Sequence, residues 1–320
     1  METAVKLPAD VIARVTRMSL TIASVNVNGI RAATKVRNEL NPGMLAWLET
    51  TTADIVLMQE VRASVDQARA VLAPALEAGW HLVIAPAEAP GAKGRAGVGI
   101  LSRSQLEDVE IGITSFEDSG RFIAGTLDDV RVASLYLPSG SAGTEKQDEK
   151  YRFLDSFEPL LEFWASEYPN MVIGGDWNIC HRREDLKNWK TNQKKSGFLP
   201  DERAFMDAVF GVFPDDEAQD LEAKSLYSWA GAVDYASTGR RQANADPKWF
   251  DVARRLEPDT APYTWWTFRG QAFNNDAGWR IDVQAATAAM LERAQRTWVE
   301  KAPTVEQRWS DHSPLMVEYA

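Results

Sequence analysis

Apolar residues recur along the chain in short runs, and several of these runs end in polar residues that can carry chemistry. Residues 19–25 alternate polar and apolar side chains over their first half and predict a strand that leads into Asn26 and Asn28. Residues 54–58, an aspartate followed by four apolar residues, are typical of a buried strand and lead into Glu60. A helical pattern lies between them, at about 35–51. The first part of the chain is therefore predicted to be strand, helix and strand.

The same order returns in the second part of the chain. Residues 130–137 predict a strand containing Tyr136, and 171–175 predict another that leads into Asp176 and Asn178. Between these strands a helix is predicted, with Pro159 inside it as a residue that should kink or split it. Its apolar residues at three-to-four spacing are Phe153, Leu154, Phe157, Leu160, Leu161 and Trp164.

These repeated strands predict where a functional site would form. In open α/β sheets, sites lie at the carboxyl ends of the strands. If two similar sheets pack face to face with helices outside, the polar residues at the strand ends can meet in one cleft. We therefore expect an α/β fold with two packed mixed β-sheets flanked by helices.

The remaining segments are less regular. Residues 1–17 carry no strong apolar pattern and are expected to be a flexible N-terminal extension, with a single domain over 18–320. The segment 211–262 is expected to contain loops and short helices, one of them near 249–256. A β-prone aromatic run occupies 263–269, a strand-like segment occupies 279–283, and a closing strand is predicted at 314–317.

Composition narrows the classes of protein that are possible. No apolar run is long enough to cross a membrane and no signal peptide is present, so we expect a soluble cytoplasmic protein. The single cysteine, Cys180, excludes an internal disulfide and a cysteine-based metal cluster. The formal charge of −11 argues against binding nucleic acid through overall charge, so any such binding must be local. One local basic cluster comprises Arg182, Arg183, Lys187, Lys190, Lys194 and Lys195, although solvated surface is the simpler interpretation of such a cluster.

The candidate chemical groups are mostly oxygen ligands. Carboxylates and amides without a cysteine cluster suit Mg²⁺ or Mn²⁺ better than zinc, which indicates phosphate chemistry. Each residue also has a structural interpretation: Asp176 could cap a turn, and the adjacent Asp311 and His312 could be an ordinary surface or core pair. Asp282 lies in a strand-like segment and needs a partner, which the ring N–H of His312 could provide. The full set is Asn28, Glu60, Tyr136, Asp176, Asn178, Asp282, Asp311 and His312.

Tryptophan is concentrated around Asp282. The chain has 12 tryptophans, and three of them, Trp265, Trp266 and Trp279, flank this segment. Core packing is the usual explanation, but aromatic side chains beside a phosphate site could also occupy a defect in a duplex or stack on a base.

Eight segments together resemble the exonuclease III type of AP endonuclease, a member of the endonuclease/exonuclease/phosphatase superfamily. They occur in family order from about residue 20 to the end of the chain. The resemblance implies a four-layer α/β sandwich. The segments are SVNVNGIRAA, DIVLMQEVRA, KGRAGVGILSR, SLYLPSGS, GGDWNICH, LKNWKTNQKKSGFLPDERA, YTWWTFRGQAFNNDAGWRID and RWSDHSPL.

The resemblance also implies a role for each matching residue. Glu60 would be the principal ligand of a Mg²⁺ ion, or of Mn²⁺, helped by Asp311 and Asn28, with Asn26 supporting them. Asp176 would handle the proton of the attacking water, Asn178 and His312 would contact the scissile phosphate, and Asp282 would orient His312. Tyr136 would bind the phosphate or assist the leaving oxygen. The base-less sugar pocket would be formed by Trp265, Trp279 and Ile281, and weaker candidates for contacts to the DNA backbone are Arg95, Arg121, Lys187 and Lys190.

The implied function is Mg²⁺-dependent hydrolysis of the phosphodiester 5′ to an abasic site in duplex DNA, together with trimming and unblocking of 3′ ends. A monomer is expected. Two departures from the family pattern are Val283, where relatives carry Tyr or Leu, and the long segment 211–262. The alternatives are a phosphatase of the same fold that acts on small phosphoesters and a non-catalytic adaptor that keeps the fold.

Overall fold

The structure, a computed structural model, describes residues 19–89, 94, 96–211 and 241–320. The predicted extension at 1–17, the basic residue Arg95 and most of the segment 211–262 lie outside the described residues. Within them the strands are β1 (Leu20–Asn26), β2 (Ile55–Gln59), β3 (His81–Ala85), β4 (Val98–Ser102), β5 (Glu107–Ile111), β6 (Phe122–Leu127), β7 (Val130–Tyr136), β8 (Met171–Asp176), β9 (Trp249–Asp251), β10 (Asp282–Thr287), β11 (Ala294–Val299) and β12 (Leu315–Tyr319).

The helices of the described residues are mostly short, apart from one of 23 residues. No helix among them is long and apolar enough to cross a membrane. The α-helices are α1 (Ile30–Ala33), α2 (Met44–Thr50), α3 (Val65–Val71), α4 (Ala73–Glu77), α5 (Glu145–Glu167), α6 (Trp189–Asn192), α7 (Pro200–Phe210), α8 (Val252–Leu256) and α9 (Ala288–Arg293), and 3₁₀ turns occur at Glu117–Ser119, Arg183–Asp185 and Val305–Gln307.

The strands form two six-stranded mixed sheets with related topologies. The first has the order β11-β12-β1-β2-β4-β3 and the second the order β5-β6-β7-β8-β10-β9. Each contains one parallel pair, β1 with β2 and β7 with β8, and its other neighbours are antiparallel. The repeat seen in the sequence is therefore a repeat of two sheets.

Strand alternation sorts the apolar side chains between a central layer and two outer layers. Ile22 and Leu57 of the first sheet pack with Val172 of the second, so the two inner faces share one core. The alternate residue Ala23 faces outward with helices α2 to α4. Phe157 of α5 packs on the outer face of the second sheet. The result is helix, sheet, sheet and helix, which confirms the predicted fold.

Close approach of the two sheets requires glycine on β8. A Cβ atom on Gly174 would lie 2.5 Å from Leu57 Cδ1 and 3.2 Å from Ser24 Cβ, both on the first sheet. The first distance is too short for two carbon atoms and the second is very tight. Any larger residue would therefore push the sheets apart. Because Asp176 follows two residues later, this contact sets the distance between the first sheet and the end of β8.

Two helix predictions need correction. The helical pattern at 35–51 gives a helix only over Met44–Thr50. Pro42 and Gly43 end the preceding turn, and the helix begins directly after Gly43, whose φ is 83°. Of the kink or split predicted at Pro159, the split is wrong, since α5 continues through this residue. Pro159 is exposed, so the carbonyl that loses its N–H partner can bond to water on the outer side of the helix.

Two strand and loop predictions also differ from the structure. The aromatic run 263–269 forms no strand and contributes only isolated bridges from Trp265 to Trp279 and to His312. The helical piece near 249–256 is the short strand β9 followed by helix α8. In the first place large side chains pack in a loop, and in the second the chain pairs with β10 before it turns into a helix, neither of which a propensity for one element encodes.

Candidate active site

The predicted site residues meet at one edge of the two sheets. Asp176 is paired with Tyr136 on one side and with Asp282 on the other, so three strands of the second sheet place these side chains in a row. Asn26 ends β1 of the first sheet. Its Nδ2 donates to Glu60 Oε1 at 3.1 Å and to Asp176 Oδ2 at 2.9 Å. This buried amide therefore links the strand ends of both sheets.

Three of these residues have left-handed backbone conformations. Asn28, Glu60 and Asn178 follow β1, β2 and β8 and have φ values of 48°, 50° and 51°. Residues other than glycine seldom adopt this conformation, and it persists where the surrounding structure enforces it, often at functional sites. Here the left-handed conformation turns the chain sharply after each of the three strands. The three polar side chains are thereby directed into the shared edge.

Glu60, Asn28 and Asp311 form an oxygen-rich cluster. Asn28 Nδ2 donates to Asp311 Oδ1 at 2.8 Å, and Trp265 Nε1 donates to Asp311 Oδ2 at 3.1 Å. Tyr136 donates its hydroxyl to Glu60 Oε1 at 2.6 Å. Burial and the neighbouring Glu60 carboxylate hold the pKa of Tyr136 well above its usual value. Tyr136 is therefore a neutral donor at physiological pH.

The donor set of this cluster fits a hard cation. One guanidinium, that of Arg62, donates to Asn28 Oδ1 at 2.8 Å and also to Glu60 Oε2. A positive group thus already bridges an amide oxygen and a carboxylate oxygen. Oxygen atoms of carboxylates and amides are the ligands that Mg²⁺ and Mn²⁺ prefer.

Asp282, His312 and Asp176 form a buried line of titratable groups. His312 Nδ1 lies 2.8 Å from Asp282 Oδ2, and His312 Nε2 lies 3.8 Å from Asp176 Oδ2. The contact expected from the sequence between His312 and Asp282 is present. Burial alone would lower the pKa of His312, but the carboxylates of Asp282, Asp176 and Asp311 outweigh it and raise that pKa to about 10.

For the pKa of Asp176, burial outweighs the neighbouring groups that favour ionisation. Burial raises the pKa of Asp176 to about 7, although the nearby imidazolium of His312 and the Asn26 amide favour its ionised form. A carboxylate that titrates near neutrality, beside an imidazole that stays protonated, can accept a proton while its neighbour donates.

The same three side chains could also hold a metal ion. Each offers one ligand atom, and these atoms lie within 4.8 Å of one another. This grouping differs from the oxygen cluster around Glu60. We favour the oxygen cluster for the metal, because His312 directs Nδ1 to Asp282 and a protonated imidazole has no lone pair for a metal.

Asn178 is fixed by its neighbours. Its backbone N–H donates to Asp176 Oδ1 at 2.9 Å, and its Nδ2 donates to the Leu137 carbonyl at 2.8 Å. Lys150 of α5 donates from Nζ to the Asn178 carbonyl at 2.9 Å and pairs with Glu202 at 2.6 Å. Both Lys150 and Glu202 have fully buried side chains, so a buried ion pair anchors the loop that carries Asn178.

An aromatic wall stands beside His312. The rings of Trp265 and Trp279 meet edge to face with centroids 5.9 Å apart, and the Trp265 ring lies 6.5 Å from that of His312. Ile281 is 7% exposed and packs with both tryptophans over Cys180. The three residues predicted to form a sugar pocket are therefore contiguous and adjoin the titratable line.

The described basic residues that were predicted to contact DNA lie outside the oxygen cluster. Arg121 donates to the Tyr136 carbonyl at 3.3 Å and pairs with Glu149 at 3.4 Å. Lys187 and Lys190 are exposed on the segment after Leu186, which bridges to Trp279. Lys187 and Lys190 therefore lie on the exposed surface beside the aromatic wall.

The other histidines have no place in this site. His181 is buried and pairs with Asp207 at 2.6 Å, and His81 is exposed on β3. Histidine chemistry at this edge therefore rests on His312.

Four residues of the site were missed by sequence reasoning. Arg62 contacts two proposed metal ligands, and Lys150 holds the Asn178 loop. Thr264 Oγ1 accepts from the Asp282 backbone N–H at 3.2 Å, and Ser310 Oγ donates to the Asn26 carbonyl at 2.6 Å. Arg62, Thr264 and Ser310 occur within the quoted motifs, which is the signal that could have found them, whereas Lys150 lies in an ordinary charged helix sequence.

The chain has recognisable relatives. The Bacillus subtilis (strain 168) exodeoxyribonuclease is 24% identical over 298 residues, which cover 92% of this chain and 97% of that protein. The DNA repair nuclease APEX1 of Danio rerio is 28% identical over 276 residues, covering 85% and 74% of the two chains. Among solved structures, a Neisseria 3′ phosphatase, NExo, bound to a product DNA hairpin aligns with a TM-score of 0.73 at 24% identity, covering 94% of this chain and 99% of that one.

The structural likeness agrees with the fold described above, and the family match extends over nearly the whole chain. Residues 23–312 match the Endonuclease/Exonuclease/phosphatase family, and this range contains every residue of the candidate active site. The resemblance found from the sequence motifs is thereby confirmed. The chain belongs to the Endonuclease/Exonuclease/phosphatase family.

Proposed function

We propose that this protein is a metal-dependent DNA repair nuclease that hydrolyses the phosphodiester 5′ to abasic sites in duplex DNA and also acts on 3′ ends. The observation that carries the proposal is the row of Asp282, His312 and Asp176 beside the Glu60 oxygen cluster. Phosphodiester hydrolysis needs a base for water, a donor for the developing charge on phosphate and a bound cation. Residues suited to each of these three roles lie side by side at one sheet edge.

Asp176 is proposed to accept the proton of the attacking water. Its Oδ1 is held by the Asn178 N–H and its Oδ2 by Asn26, which fixes the carboxylate toward the site. Its pKa of about 7 allows it to be ionised and still basic at physiological pH.

His312 and its neighbours are proposed to bind the scissile phosphate. The Asp282 carboxylate keeps the imidazole charged, so His312 Nε2 can donate a charge-assisted hydrogen bond to a phosphate oxygen. Asn178 would bind a second oxygen. Tyr136, neutral and linked to Glu60, would bind the phosphate or assist the leaving oxygen.

A Mg²⁺ ion, which Mn²⁺ could replace, is proposed to be held by Glu60, Asn28 and Asp311. When bound, it would neutralise charge on the phosphate and stabilise the departing oxygen. Asn26 supports this cluster because its amide fixes Glu60 Oε1 relative to Asp176.

The DNA substrate is supported by the aromatic wall and by the relatives. Trp265, Trp279 and Ile281 offer a partly buried apolar surface next to His312, suited to a sugar that lacks its base. Lys187, Lys190 and Arg121 would contact backbone phosphates locally, as a chain of charge −11 requires. The relatives include a DNA repair nuclease and a 3′ phosphatase solved with a DNA hairpin.

The test is incubation with a duplex oligonucleotide containing one stable abasic analogue, with Mg²⁺ or with EDTA, beside an intact duplex and a small phosphomonoester. We expect one metal-dependent cut 5′ to the lesion. Only progressive shortening from 3′ ends would make the protein chiefly an exonuclease. Hydrolysis of the small phosphoester with no cleavage of DNA would refute the proposal in favour of a phosphatase.

A further inference from the structure

Arg62 is placed by its backbone so that its side chain returns over Glu60. Arg62 has a φ of 49° and Glu60 one of 50°, so the chain curls tightly after β2. Backbone hydrogen bonds hold this curl, from Val61 N–H to the Gly97 carbonyl at 2.8 Å and from Arg62 N–H to the Ala96 carbonyl at 3.0 Å. The fold therefore fixes the backbone position from which the Arg62 side chain reaches Glu60.

The guanidinium contacts the two oxygen atoms of the cluster that no other described residue contacts. Glu60 Oε1 accepts from Tyr136 and Asn26, and the two Asp311 oxygens accept from Asn28 and Trp265. Within the described part of the chain, Glu60 Oε2 and Asn28 Oδ1 accept from Arg62 alone. Both atoms belong to residues proposed above as metal ligands.

We propose that Arg62 is a resident cation that a divalent metal ion must displace, and that the displaced guanidinium then pairs with a phosphate of bound DNA. This inference rests on the metal site proposed above. A guanidinium and a divalent ion at the same two oxygens repel each other, and the repulsion is strong at such a short range. Departure of Arg62 removes this repulsion when the ion binds.

The side chain is able to leave. The Arg62 side chain is 37% exposed, whereas that of Glu60 is 13% exposed, so Arg62 reaches the cluster from the solvent side. Its Nε makes no hydrogen bond within the described residues, so release breaks only the two side-chain hydrogen bonds, to Asn28 and Glu60. The freed guanidinium would remain at the entrance to the cleft, where a bidentate hydrogen bond to phosphate is favourable.

Exchange of these cations couples metal binding to DNA binding. In the free protein the metal competes with Arg62, which weakens its binding. When DNA is present, a phosphate replaces Glu60 and Asn28 as the hydrogen-bond partner of the Arg62 guanidinium. Displacement of Arg62 then costs less free energy, so DNA should strengthen metal binding. By linkage, the metal should strengthen DNA binding by the same factor.

The experiment is a titration of the full chain with Mn²⁺, after removal of bound metal by a chelator, with free Mn²⁺ measured by electron paramagnetic resonance. Arg62→Met removes the charge and keeps most of the length of the side chain. Arg31→Met is the matched control, because Arg31 is exposed, lies on the adjoining helix and contacts the Arg62 carbonyl at 3.5 Å rather than a ligand oxygen. Circular dichroism establishes that each variant is folded.

We expect Arg62→Met to bind Mn²⁺ at least ~10-fold more tightly than the unaltered protein, and Arg31→Met to change the affinity by no more than about twofold. Equal or weaker binding by a folded Arg62→Met variant would overturn the displacement. A third variant, Glu60→Gln, separates the two proposals. If it binds Mn²⁺ normally, the proposed metal site is wrong whatever Arg62 does.

The coupling is tested by repeating the titrations with a saturating, uncleavable abasic duplex. The duplex should tighten Mn²⁺ binding to the unaltered protein and have a much smaller effect on Arg62→Met. If the duplex tightens Mn²⁺ binding equally in both, the pairing of Arg62 with phosphate is wrong.

Discussion

Replacement of Asp282 by asparagine isolates the charge that controls His312. Asparagine has nearly the same shape, and its Oδ1 can still accept a hydrogen bond from Nδ1, so orientation is kept while the charge is lost. In the native protein both partners are buried at 2.8 Å, and the pKa of His312 is raised to about 10.

The size of the effect follows from this contact. A hydrogen bond to a charged group contributes ~1.5–3 kcal/mol. One pKa unit corresponds to about 1.4 kcal/mol. Loss of the Asp282 charge should therefore lower the pKa of His312 by ~1–2 units. Asp176 and Asp311 still face the ring and prevent a larger fall.

The pH dependence of turnover has a defined sign. Turnover should rise as Asp176 loses its proton near pH 7 and fall as His312 loses its proton near pH 10. In Asp282→Asn the upper limb should move down by ~1–2 units. The lower limb should also move down, because Asp282 is one of the charges that raise the pKa of Asp176.

The same pair links stability to pH. Protonated His312 is favoured by folding, so its contribution to stability is complete below the ordinary histidine pKa of 6.5 and is lost as pH rises through about 10. Asp282→Asn should therefore be less stable than the native protein near neutral pH and should approach it in stability at high pH.

The assay is the pH profile of kcat on the abasic duplex. The titration of the His312 imidazole is measured in parallel by NMR. The chain has only three histidines, so the signal of His312 can be assigned with single His81 and His181 variants. Asp246→Asn is the matched control, since it removes an equal charge from a side chain that is 86% exposed. An unchanged upper limb and an unchanged His312 titration in folded Asp282→Asn would refute this account.

Three further outcomes follow from the contacts described. Asp176→Asn and His312→Ala should each lower kcat by at least ~10² while circular dichroism stays native, and near-normal turnover in either would contradict the assigned roles. Gly174→Ala should lower the free energy of unfolding by ~1–3 kcal/mol, because its Cβ would lie 2.5 Å from Leu57 Cδ1; unchanged denaturation in urea would count against this close packing. Lys150→Met should lower the free energy of unfolding by ~3 kcal/mol, because the buried Glu202 carboxylate loses its cationic partner while it keeps hydrogen bonds from Gln147, Ser196 and two backbone N–H groups; Lys150→Met with Glu202→Gln should recover part of the loss, and failure of the second substitution to help would argue against the ion pair as the cause.

Sequence patterns predicted the parts of the fold that depend on periodicity. Strand alternation and apolar runs located β1, β2, β7 and β8, since each has an inner and an outer face buried by different layers. The same logic predicted where the polar residues would meet, because strand ends in a sheet share an edge. The aromatic run at 263–269 shows the limit of this logic, since its residues pack as a loop across that edge.

The interactions that hold the site together could not be predicted, because they join residues far apart in the chain through side chains of ordinary appearance. Lys150 resembles a solvated lysine within a charged helical segment, yet its side chain is fully buried between Glu202 and the Asn178 carbonyl. Arg62 resembles a surface residue two positions after Glu60, and only the left-handed backbone at both positions brings its guanidinium onto Glu60 and Asn28. Motif positions identified the groups that perform chemistry, whereas the groups that tune them depend on backbone conformation and on contacts that only the folded chain creates.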